Sequence, residues 1–67
     1  MPYATIAELP DSVRENLPTH AQEIYKEAFN HAWDEYGREE NAHRVAWSAV
    51  KKKYRKDEAS GKWHAAG

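Results

Sequence analysis

Four histidines, two sets of neighbouring carboxylates and one run of cations are the residues of this chain that could do chemistry. His31 and Glu35 stand four apart, the spacing that puts two side chains on one helical face, as a pair of metal ligands would be. A catalytic zinc takes three protein ligands and a structural zinc four, usually with thiolates. The chain has no cysteine. His20, His31, His43 and His64 therefore read as surface or capping residues, with no metal site and no cofactor assigned. Glu23 with Glu27, or Asp34 with Glu35, could imitate an acid–base pair, but that chemistry needs a cleft that sets two carboxyl groups apart. A domain this small offers little concavity, and a solvated face with Lys26 as helical neighbour is the simpler reading. No catalytic residue is assigned, and the chain is expected not to be an enzyme.

The cations are the stronger signal. Residues 1–40 hold nine acids against three bases, net −6, whereas residues 41–67 hold seven bases against two acids, net +5. The whole chain carries only −1. Either the two halves attract each other within one fold, or one end meets a charged partner. Arg44, Lys51, Lys52, Arg55 and Lys56 are the candidate partner-binding residues, with Lys53 and Tyr54 among them. On a continuous helix, Arg44, Lys51 and Arg55 would share an outward face, and Tyr54 could stack on a base. A basic helix end is also what the helix dipole favours in any protein. Contact with a protein partner is preferred; the alternative is nucleic acid, which the weakly acidic balance disfavours.

Both readings need a scaffold. Sixty-seven residues make one domain, 1–67, with a core too small to be stable without help. No disulfide is available, so three Trp, four Tyr and one Phe must supply the buried area. No apolar run approaches a membrane span and the start lacks a signal peptide's pattern, so a cytoplasmic, monomeric protein is expected.

Leu9, Val13 and Leu17, between Pro10 and Pro18, predict a short helix that cannot run into the next one. Thr19 with Gln22 reads as a capping box opening helix two. Ala21, Ile24, Tyr25, Ala28, Phe29, Ala32 and Tyr36 fall within an arc of roughly 140°, with Trp33 at its edge and Asn30 opposite. Gly37 is placed to end that helix in a left-handed conformation. Helix three is expected from about Arg38 or Asn41 to Tyr54 or Lys56, with Ala42, Val45, Ala46, Ala49 and Val50 inward. Trp47 sits at its margin and, with Trp33, is expected to be partly exposed. The short connection makes the two long helices antiparallel. The fold class is thus mainly α: a small three-helix domain, one helix short and two longer. A minor two- or three-stranded sheet at the termini completes it, Lys62-Trp63-His64 pairing with Tyr3-Ala4-Thr5.

These residues resemble the ChaB family. The resemblance is carried by Met1-Pro2-Tyr3, Leu9-Pro10-Asp11-Ser12-Val13, the run from Leu17-Pro18-Thr19-His20 through Ala28-Phe29-Asn30, Ala42-His43-Arg44-Val45-Ala46-Trp47-Ser48, and Lys62-Trp63-His64. It spans nearly the whole chain. It implies a small cytoplasmic protein, mainly helical with a minor sheet, that regulates a sodium/calcium–proton antiporter. The resemblance carries over no residue-level motif. One departure stands out: familiar members carry a longer charged insertion before the second Trp-bearing helix, where this chain has only the short link at Gly37.

Overall fold

The computed structural model describes residues 3–65; Met1 and Pro2 of the opening motif lie outside them. The elements are a single 3-10 turn at Ile6–Glu8, then α1 (Asp11–Asn16), α2 (Thr19–Tyr36), α3 (Glu39–Lys51), β1 (Tyr54–Lys56) and β2 (Trp63–Ala65). The three expected helices and a minor antiparallel sheet are all present.

α1 ends where the chain chemistry requires. Leu17 turns extended (φ −107°, ψ 137°) ahead of Pro18, after its N–H has bonded the Val13 carbonyl. The expected capping box does not form. Pro18 occupies the N-cap, so Thr19 is already the first helical residue and no side-chain cap bond is made. Gln22 reaches backwards instead, its Nε2 donating to the Leu17 carbonyl at 2.8 Å and the Arg14 carbonyl at 3.3 Å. That amide staples the end of α1 to the start of α2.

Gly37 takes φ 68°, and its N–H closes on the Trp33 carbonyl at 2.8 Å, the left-handed stop expected of it. Two residues later α3 begins, so α2 and α3 form an antiparallel hairpin. Its seam is a ladder of small and aromatic side chains: Ala21, Tyr25, Phe29 and Ala32 from α2, against Ala42, Ala46 and Val50 from α3. All seven are essentially inaccessible to solvent. Leu9, Val13 and Leu17 close one flank. Two residues placed inward by periodicity are exposed. Tyr36, the last residue of α2 before Gly37, is 56% accessible. Val45 is 37% accessible, about 100° around the helix from Ala46 and outside the α2 contact line. Trp33 and Trp47 are half-buried, as their marginal positions suggest.

α3 is shorter than its pattern. It stops at Lys51, and Lys53 closes a tighter turn with its N–H on the Val50 carbonyl at 3.1 Å. Tyr54 then runs extended rather than helical. Tertiary contacts outweigh the local preference here: the Tyr54 ring is buried, its hydroxyl meets His20 Nδ1 at 2.9 Å, and the backbone gains a ladder with β2. The register pairs Tyr54 with Ala65, Arg55 with His64 and Lys56 with Trp63. Asp57 extends the ladder, donating to the Lys62 carbonyl at 2.7 Å, and its carboxylate receives the Ala59 N–H in an Asx turn.

The sheet partner expected of Trp63 was therefore wrong. The tail pairs with β1 and not with Tyr3-Ala4-Thr5. Tyr3 is held by Asn30, a residue whose helical position pointed outward and whose amide serves as a substitute strand.

Candidate functional site

Trp47 is the centre of the exposed chemistry. It follows Ala46 on α3, so its indole leaves the buried seam and lies half in solvent. Three rings hold it. Tyr25 meets it edge-on at 5.3 Å between centroids, Trp63 of β2 lies tilted against it at 5.3 Å and 32°, and His43 stands one turn earlier on the same helix.

Hydrogen bonds fix its orientation. The Trp47 Nε1–H donates to His43 Nε2 at 3.1 Å. Indole nitrogen can only donate, so His43 Nε2 must carry a lone pair, which places the ring proton on Nδ1. That Nδ1–H faces the Tyr25 hydroxyl, which accepts it. Tyr25 is buried, and burial pushes its pKa well above the ordinary tyrosine value, with the Tyr3 phenolate and Glu39 carboxylate adding to the shift. The chain Trp47–His43–Tyr25 is thus a neutral relay of donors running from surface to core. Its work is to position the indole.

Around that indole lie two open clefts. The first, about 420 Å³, is lined by Ser12 and Asn16 of α1, Trp47 and Lys51 of α3, and Lys56, Gly61 and Trp63 of the hairpin. The second, about 440 Å³, is lined by Glu40, His43, Arg44, Trp47, Ser48 and Lys51. Trp47 and Lys51 line both, so the two clefts adjoin at these residues and are together called the trough. Lys62 Nζ, from the loop between β1 and β2, donates to the Glu15 carbonyl of α1 at 3.4 Å.

The five candidate cations do not all line one cleft. Lys51 and Lys56 line the first cleft, and Arg44 and Lys51 the second. Lys52 and Arg55 line neither. For Arg55 the reason is strand alternation: Tyr54 points inward, Arg55 away and Lys56 back to the Tyr54 side. Arg44, Lys51 and Arg55 accordingly do not share one helical face, since Arg55 is no longer on a helix. Tyr54, expected to stack on a base, is buried.

The histidines fare differently. His31 and Glu35 do meet, at 3.8 Å on an exposed face. Among the described residues no group of three or more His, Cys, Asp or Glu could hold a metal ion. His20 and His43 are exposed, in keeping with the surface reading, and each also hydrogen-bonds the hydroxyl of a buried tyrosine, Tyr54 and Tyr25. Sequence reasoning also missed Trp63, Ser12 and Asn16 as cleft residues. A tryptophan in an otherwise polar tail was the available clue.

The small helical hairpin with an aromatic and cationic trough defines a class, and comparison with known proteins names it. The ChaB family profile matches residues 9–66, and the chain belongs to the ChaB family. The protein called "Putative cation transport regulator ChaB" in Escherichia coli strain K12 is 54% identical over 74 residues, covering 96% of each chain. The protein of that name in Shigella flexneri matches to the same extent. An NMR solution structure of a protein of that name superposes with a TM-score of 0.89 at 51% identity, covering 98% of this chain and 100% of its own. The alignment to the relatives is longer than this 67-residue chain, so they carry residues with no counterpart here. No helix among the described residues is long and apolar enough to cross a membrane.

Proposed function

We propose that this protein is a non-enzymatic regulatory or adaptor protein of the cytoplasm, a monomer that acts by binding another protein through the trough beside Trp47. The observation that carries the reading is the composition of the first cleft: two tryptophans and two lysines with no carboxylate, in a chain that holds eleven acids. Such a surface favours an acidic, partly apolar protein segment by charge and by burial of ring surface. The relatives are named as regulators of cation transport, which supports an ion antiporter as the partner, engaged through a segment facing the cytoplasm.

A pull-down with the cytoplasmic loops of an antiporter tests this. Capture by the native chain, lost on Lys51→Glu with Lys56→Glu, is the expected result. Failure of the native chain to retain any loop at low salt removes the reading. The nucleic-acid alternative loses Tyr54 as its stacking residue, buried against His20, and would have to stack bases on Trp47 or Trp63 instead. A gel shift at low salt that is weakened by those two substitutions would favour it instead, and no gel shift at all removes it.

A further inference from the structure

The first cleft has an internal order that says what kind of segment fits it. Its floor is the Trp47–Trp63 pair, whose tilted rings leave an apolar surface between α3 and β2. Lys51 comes from the last turn of α3 and Lys56 from the end of β1, so ammonium groups on two separate elements border one floor. Among the described residues neither lysine is in an ion pair. Across the cleft Ser12 and Asn16 present neutral polar groups, and the Asn16 amide already donates to the Ser12 carbonyl. The trough then continues past Trp47 to Arg44, His43 and Glu40, where the charge becomes mixed.

We infer that this trough is the receptor for one short acidic segment of a partner protein, in which a large apolar side chain sits on Trp47 and Trp63. Carboxylates flanking that side chain meet Lys51 and Lys56. The inference rests on the protein-binding reading above and names the chemistry of the partner. Two features select a polypeptide over a small anion. The trough extends through two adjoining clefts, which suits an extended chain. The lysines, moreover, stand on different elements around an apolar floor, with the ring faces between them. An aromatic or leucine side chain over the paired indoles supplies the central contact of such an interface, and the lysines at its rim supply orientation and encounter rate.

Trp47 is presented for this by His43, which acts as a positioning residue through the Nε1–Nε2 bond. His43→Ala would free the indole without removing either lysine.

The test uses the full chain and a short synthetic peptide with a central Phe flanked by glutamates. Binding is followed by tryptophan fluorescence and by shifts of the Trp47 and Trp63 indole N–H resonances. Expected are saturable shifts at both indoles and affinity that falls as salt is raised. Replacing the peptide's Phe by Ser, or its glutamates by Gln, should weaken binding by roughly tenfold or more. Lys51→Glu with Lys56→Glu, two exposed changes whose folding is checked by circular dichroism, should reverse the preference toward a lysine-flanked peptide. His43→Ala should weaken binding while leaving the salt dependence unchanged.

Equal binding of the Gln peptide overturns the inference, as do shifts that map to Lys52 and Arg55 rather than the indoles. A concentration-dependent dimer that blocks the peptide would assign the trough to a second copy of this chain and overturn it too. If the peptide fails while a full-length antiporter loop is still captured, and capture is lost on Lys52→Glu with Arg55→Glu, a protein-binding regulatory role stands and the trough falls both as the peptide's receptor and as the proposed binding surface.

Discussion

The side-chain amide of Asn30 clasps both backbone groups of Tyr3: its Oδ1 accepts the Tyr3 N–H at 2.7 Å and its Nδ2 donates to the Tyr3 carbonyl at 2.7 Å. One side chain of α2 thereby does what a neighbouring strand would do, and it seats the Tyr3 ring on Phe29 at 4.8 Å. The 3-10 turn that follows is tied in the same manner, the Glu8 carboxylate accepting the Ala4 N–H at 2.9 Å.

Asn30→Ala should therefore cost about 1–3 kcal/mol, because two backbone groups lose their partners and the ring contact loosens. Urea unfolding would show it as a lower midpoint with an unchanged slope. Asn30→Asp keeps the acceptor for the Tyr3 N–H but sets a carboxylate oxygen against the Tyr3 carbonyl, so it should be no better than alanine. A midpoint equal to that of the native chain in both variants would mean the clasp contributes nothing.

Gly37 tests backbone strain without steric complication. At φ 68° an L side chain is disfavoured, yet nothing lies within 4 Å of the position a Cβ would take. Gly37→Ala should destabilise by about 1 kcal/mol from conformation alone. Gly37→Asn, which tolerates the left-handed region better, should fall between the two. Thermal melts rank the three proteins, and alanine matching glycine would show that the α2–α3 turn adopts another geometry in solution.

Alkaline pH should unfold the protein through Tyr25. Its pKa in the folded state is raised above the unfolded value of about 10, chiefly by burial. Between those two values the unfolded chain has released a proton that the folded chain retains. Stability is thus complete below about pH 10 and is lost as pH rises toward the folded value. Tyr3, shifted in the same direction by burial and by Glu39, adds a smaller slope. Denaturant midpoints measured across this range should fall, and Tyr25→Phe should flatten most of the fall. An unchanged slope in that variant would place the alkaline sensitivity elsewhere.

Periodicity carried the reading of α1, α2 and the seam a long way, because those elements are stabilised by a continuous apolar face that local spacing reveals. Pro10, Pro18 and Gly37 act through their own backbone geometry, so their effects were also visible one residue at a time. Tyr54 shows the limit. Its spacing from Val50 is helical, and only the distant His20 and the tail strand turn it into β1. Asn30 shows the same limit from the other side, since its role depends on a residue 27 positions away.

The candidate site divides along that line. The excess of positive charge after residue 40 and the supply of tryptophans are properties of composition, and no fold could remove them. Which cations line a common cleft depends on the tertiary structure. A three-residue strand sends Arg55 away and brings Lys56 to Lys51, and the register of β1 with β2 carries Trp63 onto Trp47. Side-chain spacing along one element obeys local geometry, as the α3 residues of the second cleft do, whereas meetings between elements depend on how the whole chain closes, and the first cleft is made of such meetings.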